Sequence, residues 1–228
     1  EPPERCQDGD AEKPDPRFHT YTDIEKYQNF PDAIPDGTDV VFTEKIHGMN
    51  SRLGYIVAPD ENGDMSLAFA AGSHGVRRKE YNRDDSQSVF WAVFSDNIKE
   101  LLKYIASDEF EWHVPKLGII VFGEIYGLGV QDLAYGMKGK GFRAFDIAIN
   151  EQYLDYNVKT SLLSRFDVPG VPLLYRGPFS KEVLEQHTTG DTTLCHPEEA
   201  GRFKGREGVV CTPTVEQFSN VLGGRCII

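Results

Sequence analysis

The octapeptide TEKIHGMN, residues 43–50, follows an apolar, β-prone run at residues 40–42. Lys45 therefore stands at the end of a predicted strand. His47 and Gly48 come soon after it, and a glycine lets the backbone turn tightly enough for a phosphate group to approach. A lysine held at such a position is suited to act as a nucleophile. A solvated lysine before an ordinary turn has the same local sequence, so the choice depends on companion residues further along the chain.

The composition predicts a globular protein that is not embedded in a membrane. Of the 228 residues, 39% are hydrophobic, which is enough to build a proper core. No apolar run is long enough to cross a bilayer and no signal-like stretch opens the chain, so we expect an intracellular protein, cytoplasmic or nuclear. The absence of an initiator Met indicates a fragment of a longer protein. The four scattered cysteines form no CxxC pair, which favours reduced thiols over disulfides or a zinc site.

The charge distribution is uneven. The net charge of −12 argues against binding nucleic acid through an overall positive field. Part of the acidic excess lies near the start of the chain together with four prolines, so residues 1–17 are expected to form a flexible acidic arm or linker. Basic residues are grouped locally at 77–79, 138–143 and 202–206. Such groups can bind phosphate while the molecule as a whole stays acidic, although solvated loops would look the same.

Residues 18–228 are predicted to form one α+β domain without internal repeats. Strands are predicted at 52–58, 66–71, 118–126, 142–149 and 207–212, and helices at 86–107, 158–166 and 181–187. Turn-forming residues at 59–64 join the first two strands, and a hairpin turn is predicted at 150–151.

Three of these strands carry side chains that a plain core does not need. Glu124 follows four apolar residues and has glycine on both sides at 123 and 127. A charge there is costly unless it is paired or faces a polar cleft. Phe145 and Asp146 lie within the next strand, and Glu207 opens the last one. Each of these, taken alone, is compatible with an exposed strand end or a core aromatic residue.

Taken in order, these segments resemble the covalent nucleotidyltransferases, the superfamily of polynucleotide ligases and mRNA capping enzymes. The nearest resemblance is to the RNA ligase branch typified by the phage nick-joining enzymes. KIHG at 45–48 resembles the nucleophile motif, with His47 where DNA ligases and capping enzymes usually have Asp. Asn50 matches the asparagine that this branch carries where DNA ligases place arginine. FGE at 122–124, FDI at 145–147 and EGVV at 207–210 resemble the third motif, the aromatic motif and the fourth motif.

The resemblance covers the chain from about residue 21 to its end and implies a fold and a chemistry. The fold would be the nucleotidyltransferase (ATP-grasp-like) fold, with antiparallel sheets flanked by helices around a nucleotide cleft. Lys45 would attack the α-phosphate of ATP, expel pyrophosphate and carry AMP as lysyl-AMP. The AMP would then pass to the 5′-phosphate of a polynucleotide, which is joined to a 3′-hydroxyl in RNA end joining or repair.

The resemblance also assigns roles to residues. The expected catalytic residues are Lys45, His47 and Asn50; the expected nucleotide-binding residues are Glu44, Lys45, Ile46, Gly48, Glu124, Phe145 and Glu207. Glu124 and Glu207 would hold Mg²⁺ or Mn²⁺, because carboxylate oxygens are hard ligands; the alternative that the resemblance implies for Glu124 is a hydrogen bond to a ribose hydroxyl. Phe145 would stack on adenine. The expected partner is RNA, in an RNA or an RNA/DNA nicked duplex, bound by a monomer with an accessory domain outside this fragment.

Two departures from the family pattern keep alternatives open. The arginine expected near the nucleotide ribose falls within residues 71–78, where the sequence does not decide between Arg77 and Arg78. The final motif, a pair of lysines after the fourth motif, is missing, since no lysine follows Lys204. We expect a truncation before that motif, because its loss would argue against catalysis.

The two alternative functions come from different classes. One is a GTP-dependent capping-type guanylyltransferase. His47, in place of the Asp usual in those enzymes, argues against it. The other is a non-catalytic nucleotide- or RNA-binding domain, which the missing lysines and the acidic charge favour.

Overall fold

The computed structural model describes residues 9–59, 62–107, 110, 117–195 and 205–228. The larger sheet has six antiparallel strands, in the spatial order β4 (Arg77–Arg78), β3 (Met65–Ser73), β2 (Met49–Pro59), β5 (Gly118–Gly127), β6 (Lys140–Ile149) and β7 (Gln152–Tyr153). The smaller sheet has β8 (Leu173–Pro178), β1 (Asp39–Lys45) and β9 (Gly208–Pro213) in that order, and β10 (Phe218–Ser219) pairs with β11 (Gly224–Arg225). The helices are α1 (Val89–Ala92), α2 (Asp96–Ile105), α3 (Tyr156–Arg165) and α4 (Lys181–Thr188), and a short 3-10 helix covers Tyr27–Asn29.

The larger sheet is buried on both faces because its central strand is apolar at every position from 119 to 122. Successive side chains of a strand point to opposite faces. Ile119 and Val121 pack in the cluster that contains α1 and α2, whereas Ile120 and Phe122 pack in the cluster that contains Phe18. The helices therefore cover one face of the sheet, and the segment before β1 covers part of the other.

The two sheets meet at a short connection. β1 of the smaller sheet ends at Lys45, and β2 of the larger sheet begins at Met49. Apolar side chains of β1, including Val40 and Phe42, pack with Leu184 of α4 and with Ile228. The turn at residues 46–48 is thus the covalent link between two separately packed layers.

The predicted helix at 86–107 is wrong as a single helix. Two helices, α1 and α2, occupy that range, and the break falls at residues 93–95. The hydroxyl of Ser95 accepts a hydrogen bond from the backbone N–H of Ile98 at 3.4 Å, which caps the N-terminus of α2. The apolar spacing that predicted one helix continues across the break because both helices face the same core.

Part of the predicted flexible arm is packed against the sheet. Ala11 forms an antiparallel bridge with Arg78, and the backbone N–H of Glu12 donates to the carbonyl of Arg77 at 2.9 Å. The prolines and charges of this segment predicted flexibility, but its backbone groups find partners on the edge strand β4. Residues 1–8, part of the predicted turn at 59–64 and the basic residues at 202–204 lie outside the described residues.

Several short or exposed strands were not predicted. β8 runs along the edge of the smaller sheet and pairs with β1, with a register shift between Phe42 and Thr43. Its burial pattern has no buried position, and it ends in a proline, so it lacks the alternation that identifies a half-buried strand. β7, β10 and β11 have two residues each, too few to carry a pattern.

None of the helices in the described part of the chain is long and apolar enough to cross a bilayer. Cys195, Cys211 and Cys226 are free thiols.

A buried ion network ties four distant segments together. Asp146 of β6 is 1% exposed and accepts hydrogen bonds from Lys159 of α3 at 2.5 Å and from Arg225 of β11 at 2.8 Å. The hydroxyl of Tyr21 donates to the same carboxylate at 2.5 Å. Arg225 also pairs with Glu216. Burial alone would raise the pKa of Asp146, but Lys159 and Arg225 outweigh it, and the pKa lies below its ordinary value.

We predict that Asp146→Asn destabilises the fold by about 3–5 kcal/mol, because it leaves two buried cations without their carboxylate. The measurement is the free energy of unfolding in urea. Glu100→Gln removes a carboxylate from an exposed ion pair with Lys103 and should leave that free energy nearly unchanged. Equal effects of the two substitutions would contradict the role of the network.

The lowered pKa of Asp146 also predicts how stability depends on pH. A carboxyl whose pKa is lower in the folded state contributes stability that is complete above its unfolded pKa of about 3.9 and is lost as the pH falls through its folded pKa. The stability difference between wild type and Asp146→Asn should therefore be constant near neutral pH and shrink in acid. Unfolding free energies measured at a series of pH values test this, and a difference that grows in acid would contradict it.

Candidate active site

All nine predicted site residues line one cavity of about 290 Å³. The cavity lies where the end of β1, the turn at 46–48 and the start of β2 meet β5, β6, α3 and β9. The lining residues predicted from the sequence are Glu44, Lys45, Ile46, His47, Gly48, Asn50, Glu124, Phe145 and Glu207. Their roles remain predictions, but the fold brings residues from four distant parts of the chain together.

Strand pairing places Lys45 beside Glu207. In the ladder between β1 and β9, Lys45 is opposite Gly208, so the residue before Gly208 reaches the end of β1. The half-exposed Lys45 amine donates a hydrogen bond to Oε1 of Glu207. Nδ1 of His47 lies 3.4 Å from Oε2 of the same carboxylate. The lysine is thus held by a single acidic partner, with the histidine on the partner's other oxygen.

Glu124 is a second carboxylate in the same part of the cavity. Asn50 and Glu124 are opposite each other in the ladder between β2 and β5. Burial, and then the charge of Glu207, raise the pKa of Glu124 to about 8, while Lys45 and a backbone hydrogen bond from Gly48 act in the opposite direction. A buried carboxylate beside a second carboxylate is a donor set that a divalent cation would stabilise.

A metal ion bound by Glu124 and Glu207 would need further ligands that these two residues do not supply. Within the described residues there is no cluster of three or more His, Cys, Asp or Glu side chains arranged to hold a metal ion. Mg²⁺ is commonly bound by one or two carboxylates and completes its shell with water and substrate phosphates. Glu124 and Glu207 fit that pattern, with the remaining ligands supplied by a bound nucleotide and water.

The turn after Lys45 is fixed by close packing. A Cβ atom on Gly48 would lie 2.3 Å from the carbonyl oxygen of Ile125 and 2.8 Å from Cγ of Glu124, so only glycine fits. The backbone N–H of His47 donates to the hydroxyl of Tyr135 at 2.7 Å, and Nε2 of Gln131 donates to the Gly48 carbonyl at 3.3 Å. Tyr135 is 1% exposed. The loop between β5 and β6 therefore binds one backbone N–H and one backbone carbonyl of the turn.

Phe145 provides an aromatic surface in the cavity. It sits next to a register shift between β5 and β6, and its half-buried ring meets Tyr21 edge-on with centroids 4.8 Å apart. Nζ of Lys159 donates to the Phe145 carbonyl at 2.7 Å. The ion network of Asp146 thus fixes the backbone directly beside the aromatic ring.

The structure distinguishes Arg77 from Arg78. Arg77 is opposite Gly72, which is opposite Arg52, so the three share one face of the sheet, the face that also carries Phe122. Arg78 belongs to the other face, where its carbonyl accepts a hydrogen bond from Trp91 at 2.9 Å. Neither arginine is among the residues that line the cavity.

Several lining or supporting residues were missed by the sequence analysis. Tyr21, Lys159 and Asp146 line the cavity, and Tyr135 supports it from behind the turn. Asp146 carried a signal, a carboxylate within an apolar strand. The sequence analysis did not single out Lys159, and no local pattern marked Tyr135, because its contact with His47 spans 88 residues.

Solved structures with the same fold are RNA ligases. Two structures of Naegleria gruberi RNA ligase variants with ATP and Mn match with TM-scores of 0.70 and 0.71, each at 22% identity, and cover 92% of this chain and 58% and 57% of theirs. A structure of Naegleria gruberi RNA ligase with PPi matches with a TM-score of 0.66 at 21% identity, over 90% of this chain and 55% of its own. The chain thus spans a little more than half the length of these ligases. No curated protein was found that matches the chain.

These matches confirm the predicted α+β fold with antiparallel sheets. The sequence model of the RNA ligase family matches residues 38–227. The chain belongs to the RNA ligase family.

We predict that Gly48→Ala destabilises the protein by about 1–3 kcal/mol, because the new methyl group meets backbone that cannot move aside. Gly75→Ala is the matched control, since a Cβ there would have nothing within 4 Å. Thermal unfolding of the two variants checks the difference. A Gly48→Ala protein as stable as Gly75→Ala would contradict the packing described for the turn.

Proposed function

We propose that this chain is the adenylyltransferase domain of an ATP-dependent RNA ligase. Lys45 forms a lysyl-AMP intermediate, AMP passes to the 5′-phosphate of a polynucleotide, and that end is joined to a 3′-hydroxyl. The observation that carries the proposal is the arrangement of one cavity, which holds a strand-end lysine beside two carboxylates together with an aromatic ring for a base. Membership of the RNA ligase family supports it.

The nucleotide and metal are proposed partly from the related structures. Structures of Naegleria gruberi RNA ligase variants contain ATP and Mn or AMP and Mn. We carry ATP and a divalent cation, Mg²⁺ or Mn²⁺, over to this chain as part of the proposal. Because the chain spans a little more than half of those ligases, RNA as the substrate and an accessory domain outside this chain are also parts of the proposal.

The first step is nucleophilic attack by Lys45. An ammonium group has no free electron pair, so Lys45 must lose a proton before it attacks the α-phosphorus. Glu207 is hydrogen-bonded to the Lys45 amine and is therefore in place to accept that proton. A bond then forms between Nζ and the α-phosphorus, the bond from that phosphorus to the bridging oxygen breaks, and pyrophosphate leaves with the electron pair.

Glu124 and Glu207 are the residues that would hold the divalent cation. Such an ion offsets charge on the phosphates and orients the leaving group, which phosphoryl transfer requires. The position of Glu124 is fixed by strand pairing with Asn50.

His47 and Asn50 are proposed to act in the transfer of AMP to RNA. Oδ1 of Asn50 is buried and has no hydrogen-bond partner among the described residues. A buried acceptor without a partner is costly, so a donor on the bound ligand, such as a ribose hydroxyl, would satisfy it. His47 is half-exposed at the cavity rim and is free to meet an incoming phosphate through Nε2.

The expected lysine pair has a definite direction of approach. Ile228 and Cys211 exchange both backbone hydrogen bonds, at 2.6 and 3.1 Å, so this part of the chain runs antiparallel to β9. Continued in that direction, a strand passes Val209 and reaches Glu207. Lysines on such a strand would arrive beside the phosphates bound near Lys45, as the resemblance implies.

The guanylyltransferase and the non-catalytic binding domain remain the alternatives to be tested. All three functions use the same cavity, and they differ in the nucleotide retained and in whether Lys45 becomes covalently modified.

We predict that a chain extended beyond Ile228 retains label from α-³²P-ATP after denaturation in the presence of Mg²⁺ or Mn²⁺, and that Lys45→Ala abolishes the label. Lys103→Ala, on the exposed face of α2, is the lysine control and should label normally. The readout is a denaturing gel.

Label retained from α-³²P-GTP alone would favour the guanylyltransferase. If the extended wild type is never labelled, the non-catalytic binding domain is the better description.

A further inference from the structure

Glu44, the residue before the nucleophile, is a buried carboxylate with an unusual set of partners. It is 2% exposed and lines the cavity. The hydroxyl of Thr192 donates to Oε1 of Glu44. The backbone N–H and the hydroxyl of Thr193 donate to Oε2, at 2.9 and 2.6 Å. No lysine or arginine in the described residues pairs with this carboxylate, so hydrogen bonds alone hold it.

These bonds leave the carboxylate with little capacity for a ligand. An ionised carboxylate has about four acceptor positions, two on each oxygen. Among the described residues, hydrogen bonds from the threonines occupy three of them, which leaves one position, on Oε1. Glu44 can therefore accept one more hydrogen bond from a group in the cavity, but it cannot present both oxygens to a pair of donors.

The number of free acceptors separates the two purine bases. Adenine has a single donor group on its pairing edge, the 6-amino group, next to the acceptor N1. Guanine offers two adjacent donors, N1–H and the 2-amino group, which a carboxylate with both oxygens free binds in parallel. A carboxylate with one free acceptor position can bind the 6-amino group of adenine. It cannot bind the two adjacent donors of guanine in parallel.

We propose that Thr192 and Thr193 are specificity-determining positioning residues that make the cavity select adenine over guanine through Glu44. This rests on the proposed function only in placing a purine nucleotide in the cavity. The threonines do not touch the reacting atoms; they set how many acceptors Glu44 presents to the base.

The segment that carries the threonines is anchored independently of Glu44. The Thr192 hydroxyl accepts a hydrogen bond from the backbone N–H of Leu194 at 3.2 Å, and Leu194 packs with Ile46 and Tyr135. Arg206, next to Glu207, donates to the carbonyl of Thr189 at 2.8 Å. The hydroxyl groups are therefore fixed in place before a nucleotide binds, and the cavity does not have to reorganise to orient Glu44.

The test compares ATP and GTP binding by calorimetry, with Mg²⁺, in wild type and in the double variant Thr192→Val and Thr193→Val. Valine keeps the shape and removes the hydroxyl, which frees acceptor positions on Glu44. We expect wild type to bind ATP more tightly than GTP and the ratio of the two dissociation constants to fall about tenfold in the double variant, roughly what one or two hydrogen bonds are worth. The serine double variant keeps both hydroxyls and should retain the wild-type ratio.

Two controls separate selectivity from folding. Thr160→Val makes the same change on α3, where the hydroxyl bonds to its own helix at the Tyr156 carbonyl, and should leave the ratio unchanged. If the double valine variant does not fold, Thr193→Val alone removes the hydroxyl of the exposed threonine and should shift the ratio in the same direction by a smaller factor.

The outcomes distinguish this inference from the proposed function. A folded double variant with an unchanged ratio, or a wild type without preference for ATP, overturns the inference. A wild type that prefers ATP and loses that preference in the valine variant, but is never labelled at Lys45, supports the inference and contradicts the ligase function. A wild type that binds neither nucleotide contradicts both.

Discussion

The site depends on one short connection, the turn at residues 46–48 where the smaller sheet passes into the larger. Two antiparallel ladders meet there. One sets Lys45 against Gly208 and the other sets Asn50 against Glu124. Because each register is fixed by a buried apolar face, a slip by one residue would turn the core outward. Lys45, Glu124 and Glu207 are therefore positioned by core packing rather than by flexible loops, which suits a reaction that requires accurate alignment.

That geometry places carboxylates close together, which costs electrostatic free energy, and neighbouring cations offset part of this cost. Burial, and then the nearby charge of Glu207, disfavour the ionised form of Glu124. Lys45 relieves part of it through its hydrogen bond to Glu207. Elsewhere, Asp146 is balanced by Lys159 and Arg225 and stabilises the fold. Unfavourable electrostatic energy is thus concentrated around Glu124 and Glu207, where a bound cation or a proton can lower it, as is common at functional sites.

How much the sequence predicts depends on the range of the interaction. Lys45, Glu124 and Phe145 were named because their segments resemble, in order, the motifs of a known family, and the apolar runs around them predicted the principal strands. The break at Ser95 was missed because the apolar spacing runs through it. The contact of Asp146 with Arg225 spans 79 residues and joins β6 to β11, a strand too short to predict, so no local pattern could reveal it. Glu44 was named, but its threonine partners lie 148 and 149 residues away.

The net charge of −12 does not predict the charge that this cavity presents to a ligand. Four carboxylates and two lysines line it. Asp146 is balanced by buried cations, Glu44 is held by hydrogen bonds, and the pKa of Glu124, raised to about 8, leaves it mostly protonated at neutral pH. What remains facing a ligand is the pair of Lys45 and Glu207, which is close to neutral. A polyphosphate entering such a site brings several negative charges that the cavity-lining residues among those described do not cancel. A divalent cation bound with the nucleotide would supply the missing charge, so the cavity's own balance favours a metal-dependent reaction.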